Sequence, residues 1–201
     1  MIDAIVLAAG LSKRMGTDKM ALEISGRTIL AKALDQAVKS TLNKIIVVTK
    51  YSIETYVLEK TCAYQTERIV NIVNSNPEYG MSHSIKIGMN AVTNKANGVM
   101  IMLADQVGLD FSIINELVLA AFENPRKIIA PTIKSRRTTP VIFPSILFKD
   151  LRQLTGDKGG REILGLKRKI LKTIEFGDNY DDQDIDTPED YSRIMHRLNK
   201  G

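Results

Sequence analysis

Leu7-Ala8-Ala9-Gly10-Leu11-Ser12-Lys13-Arg14-Met15-Gly16-Thr17-Asp18-Lys19 is a loop with two glycines and three cations, and it follows an almost uninterrupted apolar run at residues 2–7. An apolar run ending at a glycine loop reads as a parallel strand buried on both faces. Glycines let backbone amides approach an anion closely, so the composition is that of a phosphate cradle. The common phosphate loop requires four residues between its glycines and a lysine directly after the second. Here five residues intervene and Lys19 comes three later, and the G-x-G-x-x-G dinucleotide fingerprint is also missing. The loop therefore points to a nucleotide held by a different architecture.

The order of elements beyond the loop fits that start. Residues 28–40 carry Ile29, Leu30, Ala33, Leu34, Ala37 and Val38 at helical spacing, residues 44–48 read as a buried strand, and residues 52–59 as a short helix. A strand at 69–73, a helix opening at Gly80 and running to about Ala91, and a very apolar strand at 98–103 continue the alternation. Asp110 can cap the next helix, whose expected buried stripe is Phe111, Ile114, Leu117, Val118, Ala121 and Phe122. Past Pro125, strand-like segments at 128–133 and 139–143 flank the basic turn Lys134-Ser135-Arg136-Arg137, an antiparallel addition to the sheet. A short helix from about Ser145, another from Gly160 and a strand at 170–175 follow. Thr187, Pro188 and Asp190 then mark the start of a last helix with Tyr191, Ile194, Met195 and Leu198 on one face. The expected fold is α/β, a Rossmann-like, doubly wound, mostly parallel sheet with a small antiparallel addition, in one domain over residues 1–201.

Composition narrows the class. With 201 residues and 44% hydrophobic content, the chain matches a globular domain with a full core. The net charge of +5 comes with plentiful acidic residues and only 5% aromatics, which favours an anionic substrate over nucleic acid. Cys62 is the only cysteine, so no internal disulfide or cysteine metal cluster can form. No signal segment is evident, and no apolar run approaches the ~20 residues of a membrane helix, which leads to the expectation of a cytoplasmic protein without membrane partners.

The first loop, read as LAAGxSxRMGxxK, resembles that of the MobA-like nucleotidyltransferases, most closely the molybdenum cofactor cytidylyltransferases, which join CMP to a molybdopterin phosphate and release pyrophosphate. Four further segments carry the resemblance: Gly80-Met81-Ser82-His83-Ser84, the LADQ-type motif at Asp105, Gly156-Asp157-Lys158-Gly159-Gly160-Arg161, and the DIDTPED segment at residues 184–190. It implies the sheet architecture of nucleotide-diphospho-sugar transferases and Mg²⁺ as cofactor, with Mn²⁺ as a substitute. The partners it implies are CTP and a molybdopterin-type phosphorylated acceptor, with transient contact to a molybdenum hydroxylase or its chaperone. By the same resemblance, the backbone of Leu7, Ala8, Ala9 and Gly10 faces base and ribose. Arg14 and Lys19 face the triphosphate, with Gly80, Ser82 and Ser84 also on the nucleotide side. Asp105 binds the metal. Arg136, Pro140, Gly156, Asp157, Gly159 and Arg161 lie toward the acceptor.

Physical arguments accompany these roles. Nucleotidyl transfer calls for a divalent cation because charge builds on phosphate oxygens as pyrophosphate leaves, and magnesium takes carboxylate oxygens while keeping several waters. Asp105 lies at the carboxyl end of an expected central strand, where open α/β sheets place their ligands. The acidic run 181–190 does not by itself choose among its carboxylates; the resemblance selects Asp186, leaving Asp184 to support the turn. The helix start at Gly80 offers unpaired amides to an anion, or a plain cap by Ser82. His83 need not be a general base, since a phosphate monoester is largely ionised near neutrality, and it is expected to face solvent. Arg161 could clamp a phosphate bidentately, with Gly159 and Gly160 allowing close backbone approach.

Two departures bear on specificity. Where cytidylyltransferases tend to have Arg-x-Gly-Asn-Pro-Val, this chain reads Arg136-Arg137-Thr138-Thr139-Pro140-Val141, which leaves the acceptor open. Guanylyltransferases of the group tend to carry Leu-Ala-Gly-Gly, whereas Ala9 here restricts the backbone and narrows the base pocket, which favours cytosine. A guanylyltransferase, a transferase acting on another phosphorylated acceptor, and a non-catalytic cofactor chaperone are the alternative readings.

Overall fold

The computed structural model describes residues 1–55, 67–157 and 159–198. Its sheet is laid out around β1 (Ile2–Ala8), every residue of which is buried except the half-buried Leu7. The one carboxylate in that strand, Asp3, is fully buried and accepts hydrogen bonds from the Asn43 side-chain amide and the Thr93 backbone amide, both at 2.7 Å. That pairing is what makes its burial tolerable.

On one side of β1 lie β4 (Ile45–Thr49) and then β5 (Ile69–Val73); on the other lies β6 (Gly98–Leu103), all parallel to β1. The order continues through β9 (Val141–Pro144) and β7 (Ile128–Ile133) to β10 (Leu171–Glu175) at the edge. β7 and β10 are parallel to each other, while β9 runs antiparallel to both its neighbours. The antiparallel element expected near residues 139–143 is therefore inserted between β6 and β7. Its reason is in the side chains: Val141, Ile142, Phe143 and Pro144 are all buried, and a strand buried on both faces must be interior. The basic turn forms β8 (Arg136–Arg137), a two-residue return on β7.

Helices cover both faces. α1 (Ile29–Lys39), α3 (Phe111–Glu123) and α6 (Pro188–Leu198) enclose the core layer that contains Ile29, Leu34, Ile114, Leu117 and Ile194. α2 (Met81–Met89), α4 (Phe148–Gln153) and α5 (Arg161–Leu166) cover the opposite layer with Ile85, Met89, Leu151 and Ile163. The expected caps are formed. Asp110 accepts from Ser112 N at 2.8 Å, and Thr28 accepts from Ala31 N at 3.1 Å. Thr187 and Asp190 exchange backbone bonds at 3.0 and 3.2 Å as a capping box.

Several expectations need correction. Phe111 and Phe122 are exposed, and the buried stripe of α3 is rotated toward Ile113 and Ala120. The expected helix at 52–59 appears as a 3-10 turn, Ile53–Thr55; residues 56–59, Cys62 and the Leu198 side chain lie outside the described residues. A small hairpin of β2 (Glu23–Ile24) and β3 (Arg27–Thr28) was not expected; it turns through Ser25 and Gly26, both at positive φ. Among the described residues, no helix is long and apolar enough to cross a membrane.

Candidate active site

At the carboxyl edge of the sheet, three segments far apart in sequence meet. The loop after β1 folds on Ser12, whose carbonyl accepts from Met15 N at 3.0 Å and Gly16 N at 3.2 Å. Met15 and Met20 are buried and anchor the loop, and Gly16 takes a φ of 73°, a conformation that favours glycine. Between these anchors Lys19 is turned inward, only 9% exposed. The loop after β6 supplies Asp105. The segment before α6 is stitched beside it, with Gln106 and Asp184 forming an isolated antiparallel bridge.

The Lys19 ammonium donates to Asp105 Oδ2, to Asp186 Oδ1 at 3.2 Å and to the Ile185 carbonyl at 3.0 Å. Arg14, largely exposed, donates to the other oxygen of Asp186 at 2.8 Å. Burial alone would lower the Lys19 pKa, but the Asp105 and Asp186 carboxylates outweigh it and hold the amine above its ordinary value, so it is protonated. Asp184, at a crowded cleft wall that still reaches solvent, has its carboxyl pushed up to about 6, first by desolvation and then by repulsion from Asp105 and Asp186. Lys19, Arg14, Asp105 and Asp186, expected at one site, are thus linked by a row of three ion pairs.

These oxygens suit a hard divalent cation. Two carboxylates and a backbone carbonyl converge on a single cationic group, the lysine ammonium. Magnesium or manganese would find acidic oxygen donors here and fill its remaining positions with water and phosphate oxygens. Among the described residues there is no cluster of three or more His, Cys, Asp or Glu that would form an all-protein cage.

Beside the carboxylates lies a polar cluster that motif reading did not single out. Gln106 is buried, and its Oε1 accepts from the Thr139 hydroxyl and, at 3.4 Å, from the Tyr180 hydroxyl, which also donates to the Thr139 carbonyl at 2.6 Å. The departing Thr138-Thr139 segment, followed by Pro140 after a cis peptide, is thereby fixed next to Asp105. Its signal in the sequence was Gln106 itself, adjacent to the expected metal ligand. Arg136 is exposed and bound to Asp182 at 2.8 Å.

The remaining expected residues form a second assembly. Gly80, at φ 83°, lies against the 155–157 loop: a Cβ there would be 3.0 Å from Asp157 Oδ1 and 3.1 Å from the Gly156 carbonyl. Asp157 accepts from Met81 N at 3.0 Å, Gly156 O accepts from Ser82 N at 3.2 Å, and Ser82 Oγ donates to the Thr155 carbonyl at 3.1 Å. The first amides of α2 are therefore engaged by the Asp157 side chain and the Gly156 carbonyl, and the Ser82 hydroxyl does not cap the helix. Ser84 is buried and accepts from Asn74 at 3.0 Å. His83, expected to face solvent, is half-buried edge-on to the Tyr79 ring. Gly159 and Gly160 closely approach the Met81 and Phe143 side chains. Arg161 is exposed in an open groove of about 700 Å³ with Asp157, Glu162, Gly165 and Leu166.

In the first loop, Ala8 and Ala9 are buried in opposite core layers, while Gly10 is exposed with no atom within 4 Å of where a Cβ would sit. The Ala9 methyl packs in the layer containing Ile5 and Ile85, so any influence on a ligand passes through the backbone.

Comparison with known proteins identifies the family. The chain is 31% identical over 199 residues to the purine catabolism protein PucB of Bacillus subtilis, covering 96% of each chain. It is 28% identical over 125 residues to a probable molybdenum cofactor guanylyltransferase of Pyrococcus horikoshii, covering 62% of this chain and 58% of that one. In fold it is similar to the crystal structure of Rv0371c from Mycobacterium tuberculosis, with a TM-score of 0.81, 23% identity and 97% of each chain covered. That protein has also been crystallised in complex with manganese. Residues 4–172 match the model of the MobA-like NTP transferase domain, and the chain belongs to that family of nucleotidyltransferases.

Proposed function

We propose that the chain transfers CMP from CTP to the phosphate of a molybdopterin-type acceptor, with release of pyrophosphate. The observation that carries this is the joint hold of Asp105 and Asp186 on one cationic group at the carboxyl edge of the sheet. That two carboxylates share one ammonium supports the reading that they share one divalent cation. When bound, that cation would neutralise the charge building on the phosphate oxygens.

The chain's own residues account for the rest. Lys19 and Arg14 are the cations nearest the carboxylates, and turned toward a triphosphate they would orient its phosphates and offset the leaving pyrophosphate's charge. An acceptor phosphate oxygen attacks the α-phosphorus in line. The bond from that phosphorus to the bridging oxygen breaks, and pyrophosphate leaves with the electron pair. No covalent enzyme intermediate is required. The acceptor phosphate is already ionised near neutrality, so the Tyr79-packed His83 has no proton to remove. The Gln106–Thr139–Tyr180 cluster holds the acceptor-side segment beside Asp105. In this reading the product passes to a molybdenum hydroxylase or its chaperone.

The cytidylyl choice rests on Ala9 acting through the backbone, and the acceptor choice on the motif resemblance and the Pyrococcus relative's name. That name also favours a second reading, with GTP as donor. Pyrophosphate release measured with each of the four NTPs, molybdopterin and Mg²⁺ separates the two. Release with CTP that stops on chelation supports the proposal; release with GTP alone removes the cytidylyl reading. Nucleotide binding without any turnover leaves the carrier role.

A further inference from the structure

Two cations of the first loop pair with two of the carboxylates across the cleft. Lys19 and Arg14 carry two positive charges and Asp105 and Asp186 two negative ones, and three ion pairs link the four side chains in a row, Asp105 to Lys19, Lys19 to Asp186 and Asp186 to Arg14. Both oxygens of Asp186 are taken, Oδ1 by Lys19 and Oδ2 by Arg14. Lys19 is itself held by three oxygens in a spot where its side chain is only 11% exposed. A divalent cation that takes Asp105 Oδ2 and Asp186 Oδ1 displaces the ammonium, and a buried cation stripped of its counter-ions is costly unless it finds a new anion. The phosphates of a nucleoside triphosphate are such an anion.

We infer that Lys19 is an internal counter-ion exchanged for the metal, so that metal and triphosphate each bind weakly alone and strongly together. This rests on the reading of Asp105 and Asp186 as the metal-holding pair. The exchange balances in charge: one divalent cation replaces the two monovalent groups on the carboxylates, and the freed lysine and arginine pass to phosphate oxygens. Coupling of this kind is reciprocal. It keeps the Asp105–Asp186 pair neutralised when no substrate is present.

The test is Mn²⁺ binding followed by electron paramagnetic resonance, without nucleotide, in the wild type, Lys19→Met and Asp105→Asn. Removing the resident ammonium should tighten Mn²⁺ binding in Lys19→Met on the order of ten-fold or more, and Mn²⁺ should raise the melting temperature of this variant more than that of the wild type. Equal or weaker binding in Lys19→Met overturns the exchange. If Asp105→Asn nevertheless loses Mn²⁺ affinity, the metal site stands and only the exchange falls; if Asp105→Asn binds like the wild type, both fall. A second readout uses the wild type alone, so it does not depend on the variant folding. Acetylation of Lys19, read by mass spectrometry, should be slow in the metal-free protein and faster at saturating Mn²⁺. Unchanged protection at saturation would contradict displacement.

Discussion

The carboxylate cluster and the 156–161 loop were both read from motifs rich in glycine and charge, yet the fold uses them in opposite ways. At the cluster, Lys19, Arg14, Asp105 and Asp186 spend their charges on one another across the cleft, held by side chains alone apart from one carbonyl. At the second, the Gly156 carbonyl and Asp157 close over the start of α2, and Gly159 and Gly160 pack against Met81 and Phe143. Side-chain ion pairs can be exchanged for a ligand that brings new counter-ions, whereas a capped helix and a close-packed glycine are fixed parts of the scaffold. The difference separates the place where chemistry can happen from the wall that positions it.

That contrast breaks most visibly at Asp105. Replacing it with Asn should lower pyrophosphate release by about 10²-fold or more while the thermal transition stays cooperative; unchanged turnover would remove the metal-site assignment. On the scaffold side the effect should fall on stability. Gly80→Ala places a Cβ at φ 83° against Asp157 and should cost about 1–3 kcal/mol in urea unfolding. Asp157→Ala should cost about 1 kcal/mol by losing the α2 cap, and a variant that instead kept its stability and lost acceptor affinity would move this loop into the site.

The smallest expected effect sharpens the same point with pH. Hydrogen bonds from Ser112 hold the Asp110 carboxyl below its ordinary value. A depressed folded pKa means that the cap's contribution is present above the unfolded aspartate pKa and is lost as pH falls through the folded one. Wild type and Asp110→Asn should therefore differ by under about 1 kcal/mol near neutrality and converge in acid. A difference that grew on acidification would contradict the cap.

What was legible in the sequence follows from what side chains encode locally. β6 appears over residues 98–103 as read, because a continuous apolar run between polar turns leaves few alternatives, and β5 appears over 69–73 although Asn71 interrupts its apolar residues. Asp110, Thr187 and Asp190 sit at their helix starts because caps are short-range chemistry. The place of β9 between β6 and β7 was not legible, since an apolar run states that it is buried but not which strands it joins. Phe111 and Phe122 misled the reading of α3 because hydrophobicity alone does not fix the rotation of a helix against its neighbours. At the site, the motifs named the charges, but only the fold shows Lys19 turned inward and Gln106 tied to Thr139 and Tyr180.

The central claim, that Asp105 and Asp186 together hold the divalent cation for nucleotidyl transfer, is tested most directly by Mn²⁺ titration in the presence of a non-hydrolysable CTP analogue. About one ion should bind per wild-type chain, with affinity reduced at least about ten-fold in both Asp105→Asn and Asp186→Asn. Wild-type affinity in both variants would contradict it.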